Sequence, residues 1–344
     1  MRKKAIIFSL VFVVILSITI FFYTKNSHNN SNYEKDNNIA QINNNTNDEK
    51  HQEKDFVPLD YKFNPHVISK EYLKIYGSEI EDLFYGFCDA VLDVQDSFKC
   101  PSVERFNQIL EISKNCLPVA SQYVSKEKIR VENGIGYISY NIEKNELREN
   151  IEKFKEKVTK LISSSVPYKE DSFIMAMELL KAVANKDKFD VGGDAPNKAL
   201  KLQPYRAIMD DIGICQEISG EYIYYLLQIG INATTCSGLS KNKSFSHMWT
   251  VIELDGEHYH VDPTHTIDHK DSLAFFCLND AMRIQYGDLD VNSFSFAESS
   301  KINYKVNSER FKDLWGAQTY TIDRNNRKIY MKTFYKGEDK EYAY

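Results

Sequence analysis

Between Ser246 and Asp262 the chain reads SHMWTVIELDGEHYHVD, and this run limits the fold more than any other segment. Asp255-Gly256 is a two-residue turn signal flanked by alternating side chains, so the segment predicts a β-hairpin of fixed register. Counting outward from the turn sets Leu254 opposite Glu257, Ile252 opposite Tyr259 and Trp249 opposite Asp262. Met248, Ile252, Leu254, Tyr259 and Val261 then share one apolar face, and His247, Trp249, Glu253, His258, His260 and Asp262 share the other. On that second face His247 lies diagonal to Asp262, about 7–8 Å away between backbone positions, within reach of a carboxylate–imidazole hydrogen bond.

Upstream, Gly213-Ile214-Cys215 precedes a helical pattern with Ile218, Tyr222, Tyr225, Leu226 and Ile229 on one face and Gly230 at the C-terminal cap position. Cys215 therefore sits at a helix N-terminus, where the dipole and the free amides favour a thiolate. Gly220 inside the helix costs about 1 kcal/mol relative to alanine, which predicts close approach of a neighbouring strand. A helix-tip thiol, a histidine and a carboxylate supply the nucleophile, base and orienter of cysteine acyl-transfer chemistry. In that scheme Cys215 attacks a carbonyl, His247 pairs with the thiolate and protonates the leaving amine, and Asp262 fixes the imidazole tautomer.

The succession Gly213-x-Cys215, Gly230-Ile231, Gly238, His247-Met248-Trp249 and Leu254-Asp255-Gly256-x-x-Tyr259-x-Val261-Asp262-Pro263-Thr264 resembles the transglutaminase-like superfamily, in its bacterial extracellular branch. The match covers roughly residues 145–285. It implies an α+β, papain-like transglutaminase core, with the helix bearing the nucleophile packed on an antiparallel sheet, and a triad of Cys215, His247 and Asp262. It also implies that Tyr205, in Pro204-Tyr205-Arg206-Ala207, assists the backbone N–H of Cys215 in holding an oxyanion. Gln216 and Trp249 are expected as further oxyanion or substrate contacts, with Trp249 in the site wall. Phe275-Phe276-Cys277-Leu278-Asn279-Asp280 is similar to the segment that follows the family's aspartate. Glu217 and Ser219 stand where small residues are common, and Thr250 where asparagine is. An amine acceptor would give cross-linking, and water deamidation or proteolysis. The expected substrate is a protein or cell-wall peptide, and no cofactor is expected. A catalytically silent surface binding module on the same fold is the alternative.

Ala5–Tyr23 holds 19 residues without a charge after Arg2-Lys3-Lys4. At 1.5 Å per residue such a helix spans roughly 28 Å, enough for a bilayer core. The cationic flank predicts a single-pass membrane anchor with the C-terminal part extracellular. A cleaved signal peptide is the rival reading, but Thr19–Tyr23 makes a poor cleavage site. Residues 26–47 contain ten asparagines in 22 positions and few apolar side chains, so 24–57 reads as a disordered tether. The expected organisation is a cytoplasmic tail (1–4), the anchor (5–23), the tether, a mostly helical N-terminal region (58–144), the transglutaminase-like domain (145–290) and a β-rich C-terminal segment (291–344). Within the helical region, Ser78-Glu79-Ile80-Glu81 fits a capping box. Asn133-Gly134 marks a hairpin, and Leu147, Ile151, Phe154, Val158 and Leu161 an amphipathic helix.

With 43 Lys and Arg against 49 Asp and Glu, the chain lacks the basic surface that nucleic-acid binding requires. Its six cysteines permit disulfides in an exported protein, yet a domain of this size folds without them. His258, His260, His265 and His269 raise the question of a metal. His265-x-x-x-His269 suits a metal only on a helix, and Pro263 with its polar surroundings reads as a loop, so no metal is expected.

The predicted topology is testable on cells. Mild trypsin on intact wall-stripped cells is expected to cut at Lys35, Lys50 or Lys54 and release a nearly intact C-terminal fragment. Resistance until lysis would reverse the orientation, and release into the medium without residues 1–25 would identify a cleaved signal.

Overall fold

Every residue from Glu217 to Gln228 on the helix that begins at Cys215 is buried, and the rest of the fold is arranged around this helix. The computed structural model describes residues 56–191, 202–297, 299, 301–334 and 337–344. The first half comprises α1 (Lys70–Tyr76), α2 (Ile80–Leu92), β1 (Ser97–Lys99), α3 (Val103–Cys116), α4 (Pro118–Tyr123), β2 (Arg130–Glu132), β3 (Ile135–Tyr137), α5 (Lys144–Ser165) and α6 (Ser172–Lys186). Then come β4 (Lys188–Phe189), α7 (Pro204–Asp210), β5 (Ile212–Gly213), α8 (Cys215–Gln228), β6 (Ala233–Ser240), β7 (Ser246–Leu254), β8 (Glu257–Val261) and α9 (Pro263–Ile267). The chain closes with α10 (Asp280–Gly287), β9 (Leu289–Phe296), β10 (Ala317–Asp323), β11 (Lys328–Thr333) and β12 (Asp339–Ala343). The fold is α+β: the main sheet is antiparallel in the order β8-β7-β6-β9, and β10-β11-β12 form a second antiparallel sheet.

The sequence predicts one apolar face for α8, but the helix is enclosed all round, so its polar side chains need partners. Glu217 pairs with Arg206, Glu221 with Lys186, and the Gln228 amide bonds both the N–H and the carbonyl of Asn64. The last pair ties the N-terminal region to α8. One hydrophobic core runs from Val67 to Met331, across the divisions expected at 144/145 and 290/291. β9, which straddles the second division, pairs with β6.

Gly220 permits a close approach, but by a helix rather than a strand. A Cβ there would stand 2.3 Å from Pro204 Cγ, at the start of α7, and 2.8 Å from Asn115 Oδ1. The capping box at Ser78 does not form: α2 starts at Ile80 without a side-chain cap, and the Ser78 carbonyl accepts from Glu81 N–H at 3.2 Å.

The 246–261 hairpin has the expected register, with Leu254↔Glu257, Ile252↔Tyr259 and Thr250↔Val261 paired. Asp255 and Gly256 both adopt positive φ (52° and 82°), as a type I′ turn demands. The second face is drier than its sequence suggests. Trp249 and Val251 are buried with Cys236, Leu289 and Phe296 in a smaller core beneath β9. The Trp249 indole donates to His260 Nδ1 at 2.9 Å, and His260 Nε2 meets Asp280 Oδ1 at 2.8 Å, so this polar chain is satisfied inside.

The anchor expected at 5–23 lies outside the described residues, as does all of the tether except residues 56 and 57. Among the described residues no helix is long and apolar enough to cross a membrane. All six cysteines are free thiols.

Gly220→Ala tests the α7–α8 contact. Alanine removes the helix penalty of about 1 kcal/mol, yet overpacking against Pro204 is expected to leave a net loss of about 1–3 kcal/mol. A lower urea midpoint at unchanged slope is the expected reading. A stabilised variant would mean that α7 yields freely.

Candidate active site

Three interactions set where α8 begins. The short parallel pair β4–β5 carries the chain up to it, and Asp190 N–H donates to the Gly213 carbonyl at 2.9 Å. Glu217, at the third helical position, accepts the Ile214 N–H on Oε2 at 2.9 Å. Arg206 donates to both Glu217 carboxylate oxygens, with Nε to Oε1 at 2.8 Å, and to Asp190 Oδ2 at 2.9 Å. Arg206 and Glu217 are fully buried, so each satisfies the other's charge. The first amides of α8, those of Cys215 and Gln216, have no helical carbonyl ahead of them and face outward from the helix end.

β7 is attached to the same helix. Ser219 Oγ donates to the Met248 carbonyl at 3.2 Å, and Thr250 Oγ1 donates to the Ser219 carbonyl at 3.3 Å. Glu217, Ser219 and Thr250 thus all hold α8 in place, either at its start or against the strand that carries His247.

The structure brings Cys215, His247 and Asp262 together. His247 Nε2 is 2.7 Å from Asp262 Oδ2, and the imidazole acts on the Cys215 thiol, which its charge and hydrogen bonding lower. With Nε2 engaged by the carboxylate, Nδ1 is the ring nitrogen left for sulfur. Burial alone would raise the Cys215 thiol, but the hydrogen bond and charge of His247, with the Met248 backbone, bring it below its ordinary value. Burial disfavours imidazolium at His247, yet Asp262 outweighs this, and with Cys215 raises His247 to about 9. The resting state these shifts favour is a thiolate–imidazolium pair.

Asp262 is the fixed point. It ends the hairpin and caps α9, where Oδ1 accepts from His265 N–H at 3.2 Å, and Pro263 follows at the first helical position. The loop expected there is therefore a short helix. Asp262 Oδ2 accepts three donors at 2.7 Å: His247 Nε2, His265 Nδ1 and Arg283 Nη2. Burial would raise this carboxyl, but His265, His247 and Arg283 hold it well below the carboxylate range.

Sequence reasoning missed Arg283. It lies on α10 with no local signal, fully buried, its guanidinium 4.4 Å from the Trp249 ring. His265 carried a signal, the Asp-Pro-x-His start of a helix, but the loop reading concealed it. His247, Asp262 and His265 offer ligand atoms within 4.8 Å of one another, a spacing that raises the metal question again. Arg283 answers it, because a fixed cation already occupies the shared carboxylate oxygen. His269 lies apart from this trio, its ring 6.3 Å from that of Phe334.

The other expected contacts are placed differently. The Tyr205 hydroxyl meets Tyr123 Oη at 3.1 Å, and its ring stacks on Phe154 in the aromatic core, so the expected oxyanion role finds no support there. Gln216 is exposed and donates to the Leu202 carbonyl at 3.0 Å. Trp249 is fully buried behind the His247 ring, 6.0 Å from it between centroids, and is not a wall of the site.

The pH dependence has a definite sign. Asp262 stabilises the folded state above the ordinary carboxylate range, and this is lost as pH falls through its lowered value. His247 stabilises it below its ordinary 6.5, and this is lost as pH rises through about 9. The other cysteines are raised by burial, Cys116 to about 12. Iodoacetamide at mildly acidic pH is therefore expected to label Cys215 first, as peptide mapping would show. Uniform labelling, or another cysteine first, would refute the ion pair.

No family model matches the sequence, and no curated protein does. Two solved structures are similar to it in part. One, from Cytophaga hutchinsonii and described as a candidate cysteine protease, is 16% identical over 33% of this chain and 37% of its own, with a TM-score of 0.26. The other, described as a TGase, is 12% identical over 41% of this chain and 44% of its own, with a TM-score of 0.28. This chain thus spans less than half the length of either. Overlaps of this extent assign no family, and the functional reading rests on the site itself: a helix that presents Cys215, packed on an antiparallel sheet that presents His247 and Asp262.

Proposed function

We propose that this chain is a transglutaminase-like, cysteine-dependent enzyme that forms a thioester on Cys215 from a peptide amide. One observation carries the reading. A thiol at the first position of a buried helix is lowered by an imidazole whose Nε2 is held 2.7 Å from a buried carboxylate. The Cys215 thiolate adds to the amide carbon. The oxyanion forms at the helix N-terminus, where the unpaired Cys215 and Gln216 amides support it. His247 gives its proton to the leaving amine as the C–N bond breaks, leaving the thioester. A second amine or water then attacks, His247 takes its proton, and the thiolate is restored. An amine yields a new amide bond, and water yields an acid.

The cellular setting follows the sequence reading. The apolar span at 5–23 anchors the chain, the tether extends from it, and the domain acts outside the membrane on proteins or cell-wall peptides.

Mass spectrometry after incubation with cell-wall peptides and a labelled amine tests the proposal. A peptide-mass adduct on Cys215 is expected, with amine incorporation or hydrolysis of the peptide. Cys215→Ala is expected to abolish both, and His247→Ala to slow turnover by about 10³-fold or more. Product formation that survives Cys215→Ala, or an intact protein that forms neither adduct nor product, would overturn it.

A further inference from the structure

His265 and Arg283 are the donors on Asp262 that the triad chemistry leaves unused, and of the two only His265 bonds both carboxylate oxygens. It grips the carboxylate twice, with its backbone N–H on Oδ1 at 3.2 Å and its ring Nδ1 on Oδ2 at 2.7 Å. The ring stands edge-on to His247, 5.0 Å between centroids at 83°, and its other side stacks on Phe275 at 4.8 Å. Phe275 is itself tied to the site, since its carbonyl accepts the Asp262 N–H at 2.9 Å. The His265 side chain is 43% exposed, yet both its ring orientation and its target atom are fixed.

We propose, on the basis of the triad reading above, that His265 is a positioning residue: its ring shares the Asp262 carboxylate with His247 and so limits how firmly Asp262 binds the protonated His247. A carboxylate oxygen has two lone pairs, and Oδ2 serves three donors, so each draws on charge the others would otherwise use. The groups that face this carboxylate are His247 on β7, backed by Cys215 on α8, His265 on α9 and Arg283 on α10. Arg283 and the helix cap keep Asp262 in position without the His265 ring. Loss of that ring therefore removes a competitor more than a support. Imidazolium bound less tightly gives its proton to a leaving amine more readily, which is the demand the proposed reaction makes on His247.

The test is the pH profile of Cys215 alkylation by iodoacetamide in the full chain, followed by peptide mass spectrometry. The alkaline step of that profile marks His247 losing its proton. His265→Ala is expected to move this step upward by about half a pH unit or more. His265→Asn, whose amide nitrogen takes the place of Nδ1, is expected to leave it at the wild-type position. His265→Arg sets a fixed cation against the same oxygen and is expected to move it downward. An alanine variant whose step stays or falls, or an asparagine variant that shifts as far as alanine, would overturn the proposal. Should His265→Ala fail to fold, the order of the asparagine and arginine steps decides the question, because equal steps would refute it. If wild-type Cys215 shows no preferential labelling at acid pH, it is the triad reading that fails. If it labels first and only the His265 series is flat, this proposal alone fails.

Discussion

The buried carboxylate of Asp262 is the interaction on which both the fold and the site depend. An isolated carboxylate in this position would be far too costly to ionise. Arg283, equally buried, makes it affordable, and the His265 amide and two imidazoles complete its shell. The same group ends the hairpin, starts α9 and holds α10 against the sheet. Removing one partner of such a pair leaves the other charge uncompensated, at about 3–5 kcal/mol. Stability and chemistry are therefore hard to separate at Asp262, and Cys215 and His247 are the cleaner places to probe function.

A second buried pair protects the nucleophile from its own helix. Glu217 lies within the first turn of α8, where an unneutralised carboxylate would oppose a thiolate at Cys215. Arg206 covers both Glu217 oxygens, and the remaining capacity of the carboxylate goes to the Ile214 amide. The helix gains a fixed start while the field near the sulfur is left mainly to the helix dipole and His247. Anions and cations thus balance within the site: Asp262 against Arg283, Cys215 against His247, and Glu217 against Arg206.

What was legible in the sequence was local. The hairpin register follows from Asp255-Gly256 and a period of two. The places of Cys215, His247 and Asp262 follow from the ends of the elements that bear them, so their convergence could be read before any coordinates. What was hidden was tertiary. Arg206 and Arg283 reach their partners from separate helices, and a buried ion pair leaves no periodic trace. The second hairpin face looked solvated because the strand that covers it, Leu289–Phe296, carries Asp290, Asn292 and two serines and does not read as a strand. α9 went unseen because five residues are too few to show a helical period, although its Asp-Pro start was present. The role expected of Tyr205 rests on resemblance alone, and its hydroxyl pairs with Tyr123 in the aromatic core.

The chain has two tryptophans, and one of them, Trp249, lies in parallel stacking range of His247 and against the Arg283 guanidinium. The other, Trp315, is tied to the Cys277 carbonyl, away from the triad contacts. Of the two indoles, one therefore lies against the imidazole whose proton the chemistry moves, and a change of charge on His247 alters the surroundings of Trp249 directly.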